Sequence, residues 1–461
     1  MSPGRDRDGI HWTVASTFII GTMVGAGLVV LPHALAQSGL ITGLIVLLGG
    51  ALLSAYTGIL LGQNWLLIEK RRTFGQQGLQ DPYPQMAAIA LGRNAGIFVR
   101  ILLCVSQFGV TTVFLILAAK NISSLLRLAA VDLDFCIILP AISMVLLPVV
   151  MLESPKDFWQ AAVCAALCTL AAIVLIFLGA SWDRPTCWDV AQYDAPEMGG
   201  IFLSLGTALF AFGCHSLIVA MYVPVSVYSY LVYGNSLSDD ASKSIQTEWV
   251  RHGVTILITL HVTSALVIVI SPVFHSFEKL FRVPNRLGCQ RIAVRSMIWI
   301  AVLFVALSIP KFGVFLDLVG GSTIALLSIV LPALFNMYLR AAHQKQKISQ
   351  FGVYSLATWK DVLTHTPKVQ LLLNLFCIVL GAVSGLAATY SAAQSIFLDR
   401  CRNPVLLAAI YTHPGSTNRP TNRRGCLLLW GKLVDKDAIF RRNLYKIRIK
   451  FFIHLHSFAI Y

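Results

Sequence analysis

The chain has 461 residues, of which 56% are hydrophobic and 12% charged, and its mean hydropathy is +0.73. Soluble domains carry about 25% charged residues, so the composition excludes a soluble globular protein and leaves an all-α polytopic membrane protein. The net charge of +15 does not argue for nucleic acid, because residues 400–461 alone hold twelve Lys/Arg against Asp435 and Asp437.

Residues 1–11 are polar and read as a cytoplasmic N-terminus. The apolar run that follows is too long for the h-region of a cleavable signal peptide. Apolar spans are predicted at about 12–36, 40–66, 96–127, 135–152, 158–180, 200–217, 218–233, 253–275, 292–310, 314–339 and 369–397. A helix needs about 20 apolar residues to cross the hydrocarbon, and most of these spans suffice. With a cytoplasmic N-terminus, the larger inner loops would be 67–95, 276–291 and 340–368. They carry thirteen Lys/Arg, against Arg184, Lys243, Arg251 and Lys311 in the outer loops. That asymmetry agrees with the positive-inside rule. The ten cysteines lie mostly in apolar runs and do not form a disulfide framework. Cys136 and Cys187 both fall near predicted outer ends, where a disulfide and two free thiols both stand open.

The first span contains Gly21-Thr22-Met23-Val24-Gly25-Ala26-Gly27. Three glycines in seven residues weaken a helix by about 1 kcal/mol each. A membrane protein tolerates this where loosened backbone is buried or lines a cavity, as in the broken helices of transporters. A small-residue face for close helix packing explains the same pattern. The sixth span repeats the theme in Gly206-Thr207-Ala208-Leu209-Phe210-Ala211-Phe212-Gly213-Cys214-His215. Glycine-interrupted first and sixth spans are what an inverted five-plus-five repeat would show. Half-helix N-termini receive a carboxylate and unwound carbonyls receive an ammonium, so an amino acid fits such a site chemically. Ordinary glycine-mediated packing is the alternative.

The run from Thr17 to Pro32 resembles the first helix of the amino acid/auxin permease family, and Phe210 to His215 resembles its sixth. Tyr222-Val223-Pro224-Val225-Ser226-Val227-Tyr228 looks like the seventh, and Ile270-Ser271-Pro272-Val273-Phe274 like the end of the eighth. The likeness covers about residues 10–398. It implies about eleven transmembrane helices with an inverted-repeat, LeuT-like core in which helices 1 and 6 are broken. It also implies ion-coupled (proton or sodium) secondary transport of amino acids across a bilayer, with no cofactor. The substrate site would then comprise Thr22, Met23, Gly25, Ala26, Gly27, Phe210, Ala211, Phe212 and Gly213. Phe210 and Phe212, two residues apart, face one cavity only where the helix unwinds.

Two features depart from the family pattern. Residues 200–233 would span about 51 Å as one helix, too long for one crossing and too short for two full helices and a turn. The junction at 215–221 therefore reads as shortened, through a skipped exon or a gene-model error, with a short re-entrant hairpin as the alternative. The tail, 399–461, matches no recognised family and has a disorder-like composition around His413-Pro414-Gly415-Ser416. Translated non-coding sequence is the preferred explanation for it.

Thr263 and Ser264, with carbonyls near Gly21, would coordinate sodium in a LeuT-type fold, although such hydroxyls more commonly bond their own helix. His33 is a candidate proton site near the outer end of the first span. His261 faces the core with no assignable partner. Asn121-Ile122-Ser123 matches a glycosylation sequon but lies in or beside the third span. No phosphate loop, metal-ligand cluster or nucleophile motif has usable context, so an enzyme is not expected. Two classes remain: an amino acid transporter of the plasma membrane or a lysosomal or vacuolar membrane, and a transport-inactive sensor or aberrant isoform.

Overall fold

The computed structural model describes residues 25–69, 81–128, 130–131, 133–151, 159–213, 219–284, 288–309, 311–348 and 356–402. The N-terminal segment 1–11, Thr22, Met23, His215 and the tail beyond 402 lie outside the described residues. In chain order the helices are α1 (Gly25–Ser38), α2 (Leu40–Glu69), α3 (Pro82–Leu91), α4 (Arg93–Leu128), α5 (Phe135–Val150) and α6 (Trp159–Cys187). Then come α7 (Met198–Phe212), α8 (Val219–Tyr233), α9 (Glu248–Leu280), α10 (Cys289–Ser308) and α11 (Phe312–Val319). Two π-helical turns, Gly320–Ile324 and Leu326–Val330, lead into α12 (Leu331–Ile348). The last helices are α13 (Trp359–His365) and α14 (Lys368–Arg402).

Every predicted apolar span coincides with a helix, the first being described only from Gly25. Among the described residues, seven helices are long and apolar enough to cross a membrane, one of them the continuous rod α11–α12. In a bilayer a regular helix satisfies its backbone internally, and these sequences are apolar on every face. Two further helices stand where the sequence reading placed only loops. In α3, Pro82 occupies the first turn, where its missing N–H costs nothing. In α13, Thr358 and Asp361 form a reciprocal capping box.

The helices form an inside-out arrangement suited to lipid. Eleven of the fourteen residues of α1 are buried, making it the central element. It packs against α2, α7 and α8, while α9 packs against α4 and α6. The peripheral helices turn apolar side chains outward: Ile41, Ile45, Leu48 and Leu52 on α2, and Leu372, Phe376, Val379 and Val383 on α14. Such stripes would be an aggregation hazard in water and are the expected surface toward acyl chains.

The 34 residues of 200–233 fold mainly as two short helices. Fifteen residues each give α7 and α8 about 22 Å apiece, short of the ~30 Å hydrocarbon core. Both outer ends lie at one end of the molecule. Gly200, near the start of α7, abuts the Gln37 carbonyl at the end of α1, and Gly234, just past α8, abuts the backbone of Gln192. The pair therefore enters and returns on the same side.

Asp183, near the end of α6, ties that side together. Its carboxylate accepts from Tyr233 Oη (2.6 Å), from the backbone N–H of Gln246 (2.6 Å) and Thr247 (3.1 Å), and from Thr247 Oγ1 (2.6 Å). These N–H groups sit at the entry to α9, where the first turn has no partners of its own. Hydrogen bonds to a charged group are worth about 1.5–3 kcal/mol each. We expect Asp183→Ala to cost at least about 3 kcal/mol, read as a lowered unfolding midpoint of the detergent-solubilised protein. An unchanged midpoint would show the hub to be dispensable.

Two sequence expectations are settled by packing. Cys187 is a free thiol while Cys136 is disulfide-bonded, so these two cysteines are not joined to each other. Asn121 is fully buried in α4, so the sequon is not presented for modification.

Candidate functional site

The start of α1 and the end of α7 meet. Gly25, Ala26 and Gly27 are all buried. A methyl group on Gly27 would stand 3.0 Å from Tyr222 Oη and 3.1 Å from Ala211 Cβ. Glycine here lets α1 run directly against α7 and α8. The structure thus brings together Gly27 and Ala211 of the predicted substrate set, with Gly25, Ala26, Phe210, Phe212 and Gly213 close along the same two segments.

The two phenylalanines part company. α7 is regular through Phe212, so residues two apart point to different neighbours. Phe212 packs toward Tyr222, with ring centroids 6.2 Å apart, and toward Gly50 of α2. Phe210 instead faces the π turn, where a methyl on Gly320 would be 3.0 Å from its Cβ. Gly213 caps α7, and its carbonyl accepts from Ser328 Oγ at 2.6 Å. That bond satisfies one of the carbonyls a helix end leaves open.

His261 of α9 is the third wall. A methyl on Gly25 would lie 1.8 Å from His261 Cδ2, so the imidazole fills the space that glycine leaves. Its Nδ1 is 3.0 Å from the Ala165 carbonyl and 2.8 Å from Thr169 Oγ1, both on α6. With Nδ1–H donating to that carbonyl, Nε2 is left as an acceptor. Nε2 is buried and has no hydrogen-bond partner among the described residues. The sequence reading found no partner for His261, and the fold supplies one nitrogen with two while leaving the other unengaged beside α1.

The predicted ion-coupling residues lie on α1 and α9, and the carbonyls near Gly21 expected to join them are outside the described residues. Thr263 Oγ1 donates to the carbonyls of Thr259 (2.8 Å) and Leu260 (3.1 Å) on its own helix. Ser264 is half-buried. His33 lies eight residues along α1 from Gly25, with Nδ1 2.8 Å from the Leu237 carbonyl and Nε2 3.2 Å from Gln37 Nε2. A groove of about 630 Å³, lined by Gly39, Trp188, Tyr193 and Tyr230 among others, lies at the far end of α1 and not at the glycine cluster.

One residue was missed. Asp317 of α11 is buried, and its Oδ1 accepts from Thr207 Oγ1 of α7 at 2.5 Å. The helices approach so closely because both carry glycine there. A methyl on Gly206 would sit 2.8 Å from the Asp317 carbonyl oxygen, and one on Gly320 would overlap the Gly206 carbonyl oxygen. The signal was available: Asp317 is the sole acidic residue between positions 312 and 348, and an ionisable group inside a membrane helix marks a functional site by default.

The comparisons with known proteins identify the family. The family model described as "Transmembrane amino acid transporter protein" matches residues 8–222 and 215–394. The two segments overlap at 215–222, at the junction that the length argument marks as short. Among curated proteins of Arabidopsis thaliana, the chain is 26% identical to amino acid transporter AVT1D over 416 residues, covering 81% of this chain and 68% of that protein. It is 23% identical to lysine histidine transporter-like 1, covering 84% and 88%, and 22% identical to amino acid transporter AVT3B, covering 87% and 96%. With a polytopic helical fold, a buried glycine junction between α1 and α7 and a family match over most of its length, this chain belongs to the transmembrane amino acid transporter family.

Proposed function

We propose that the protein carries amino acids across a membrane by alternating access, driven by a proton or sodium gradient. The observation that carries the reading is the junction of α1 with α7, where Gly27 and Ala211 bring the two backbones close together. A substrate carboxylate and ammonium would be held there by main-chain groups of the first and sixth spans, Thr22 and Met23 included, and the side-chain pocket would be bounded by Phe210 or Phe212. Unengaged His261 Nε2 offers an acceptor for an ammonium. Thr263, Ser264 and His33 remain the residues proposed for the coupling ion.

The test is uptake of labelled amino acids by purified protein in proteoliposomes under an imposed pH or sodium gradient. The panel should include small neutral amino acids as well as lysine and histidine, because one relative is named for the latter pair. Accumulation above the equilibrium level with either gradient supports the reading. Binding without flux supports the second reading, a transport-inactive sensor, which the two short helices α7 and α8 favour. The membrane concerned, plasma membrane or a lysosomal or vacuolar one, would be read from a tagged full-length chain.

A further inference from the structure

Asp317 has no role in the site described above, yet its surroundings are unusual for a carboxyl group. It is 3% exposed, and its one hydrogen-bond partner among the described residues is the neutral hydroxyl of Thr207. Burying an ionised carboxylate costs several kcal/mol unless a cation or several donors compensate. Neither is present. The elements packed on α11 are α4, α7, α14 and the following π turn. α7 contains no ionisable side chain. On α4, Lys120 is engaged by Asp239 at 3.2 Å and lies over the Phe312 ring. α14 turns Gly385, Ala388 and Thr389 toward the π turn, with Tyr390 facing outward. Lys311, six residues earlier, is exposed, and Asp239 stands beside Gly313 at the same end.

We propose that Asp317 and Thr207 form a proton-binding site that couples proton movement to the position of α7. This rests on the transport reading above and names the coupling ion for it. The chemistry is a change of hydrogen-bond roles. With the carboxylate ionised, Thr207 Oγ1–H donates to Asp317 Oδ1, 2.5 Å away. When a proton from the aqueous side binds the carboxylate, the new O–H donates to Thr207 Oγ1. The hydroxyl proton is then free for the Leu203 carbonyl, already 3.4 Å away. A hydroxyl can play both roles. Release of the proton to the other side restores the first arrangement. The switch acts on α7 itself, about one turn before Phe210 and less than two before Gly213, and the glycine pair Gly206–Gly320 leaves little slack between the helices.

Two measurements on the full chain in bilayers test the site. The first is the infrared difference spectrum between acid and alkaline pH. Wild type should show the carbonyl stretch of a carboxyl group that gains a proton. Asp317→Asn, which preserves shape, should lack it, and Thr207→Val should shift it through loss of the hydrogen bond. Identical difference spectra in all three proteins overturn the proposal, whether or not any of them transports. The second is gradient response. At one proton per substrate a pH step of one unit is worth about tenfold accumulation. The ratio of uptake with and without the gradient should fall to one in D317N. An undiminished ratio overturns the coupling role while leaving amino acid transport intact. A wild type that shows the carboxyl band but takes up no amino acid instead removes the transport reading and leaves the proton site standing.

Discussion

Gly25→Val is expected to abolish amino acid uptake while the protein still reaches its membrane. The first methyl group alone would stand 1.8 Å from Cδ2 and 2.1 Å from Nε2 of His261. Rotation of the imidazole is opposed by its bonds to Ala165 and Thr169 and by full burial. Either α1 or α9 must shift, and overpacking of this kind costs about 1–3 kcal/mol. Charged to one conformation of an alternating cycle, that is about 5- to 150-fold in rate, and the two further methyl groups of valine add to it. Each helix is held by other neighbours, α1 by α7 and α8 and α9 by α4 and α6, so the fold survives. Surface labelling and uptake measured in parallel decide the matter. Uptake at the wild-type level would remove the start of α1 from the substrate path. Adding His261→Ala to Gly25→Val empties the disputed volume and should restore packing, though not the acceptor that Nε2 provides.

Glu278→Leu should be the most destabilising single change outside that path. Near the end of α9, the Glu278 carboxylate accepts from Arg295 Nε at 2.6 Å and Arg291 Nε at 3.0 Å, both on α10, with His275 Nδ1 at 3.3 Å. All three charged partners, Glu278, Arg291 and Arg295, are no more than 5% exposed. Arg295 also donates to the Met151 carbonyl at 3.1 Å, just past α5, and its guanidinium lies over the Phe274 ring. Removing the shared carboxylate leaves two buried cations facing each other, and breaking a buried pair from one side costs about 3–5 kcal/mol. The expected readout is a sharply lower unfolding midpoint and poor recovery from the membrane. Glu278→Gln, which keeps an acceptor, should be milder. Equal midpoints for Leu and wild type would show the cluster to be solvated in practice.

That cluster also shows where the sequence reading reached its limit. Arg291 counts among the thirteen inner-loop cations. It is locked into a buried ion pair together with Arg295. A loop count sees only side and sign. Whether a guanidinium meets lipid phosphate or a carboxylate thirteen residues upstream depends on how α9 and α10 cross. Asp361 is the opposite case. The Thr358-to-Asp361 spacing is a legible cap signal, and the backbone N–H of Thr358, with Lys345 and the Thr358 hydroxyl, holds the Asp361 carboxyl well below the usual carboxylate range. The clue was local and was passed over because it lay inside a presumed loop.

The sequence by itself determined the class of protein, the helix positions and the family. Each of these is written in local quantities: apolar length against bilayer thickness, glycine clusters, and ordered short motifs. It also determined that residues 200–233 hold too little chain for two full crossings, which the short pair α7 and α8 reflects. Only the tertiary structure decided which of those glycines touch what. It set Gly25 against His261, Gly27 against Ala211 and Tyr222, and Gly206 against Gly320. It pointed Phe210 and Phe212 to different neighbours, kept Cys187 apart from Cys136, and brought Thr207 to Asp317 across 110 residues of chain. The physical reason is that in lipid every face of a helix is apolar. The hydrophobic pattern that orients a soluble helix is absent, and facing is fixed by close packing and a few buried polar contacts that no single segment specifies.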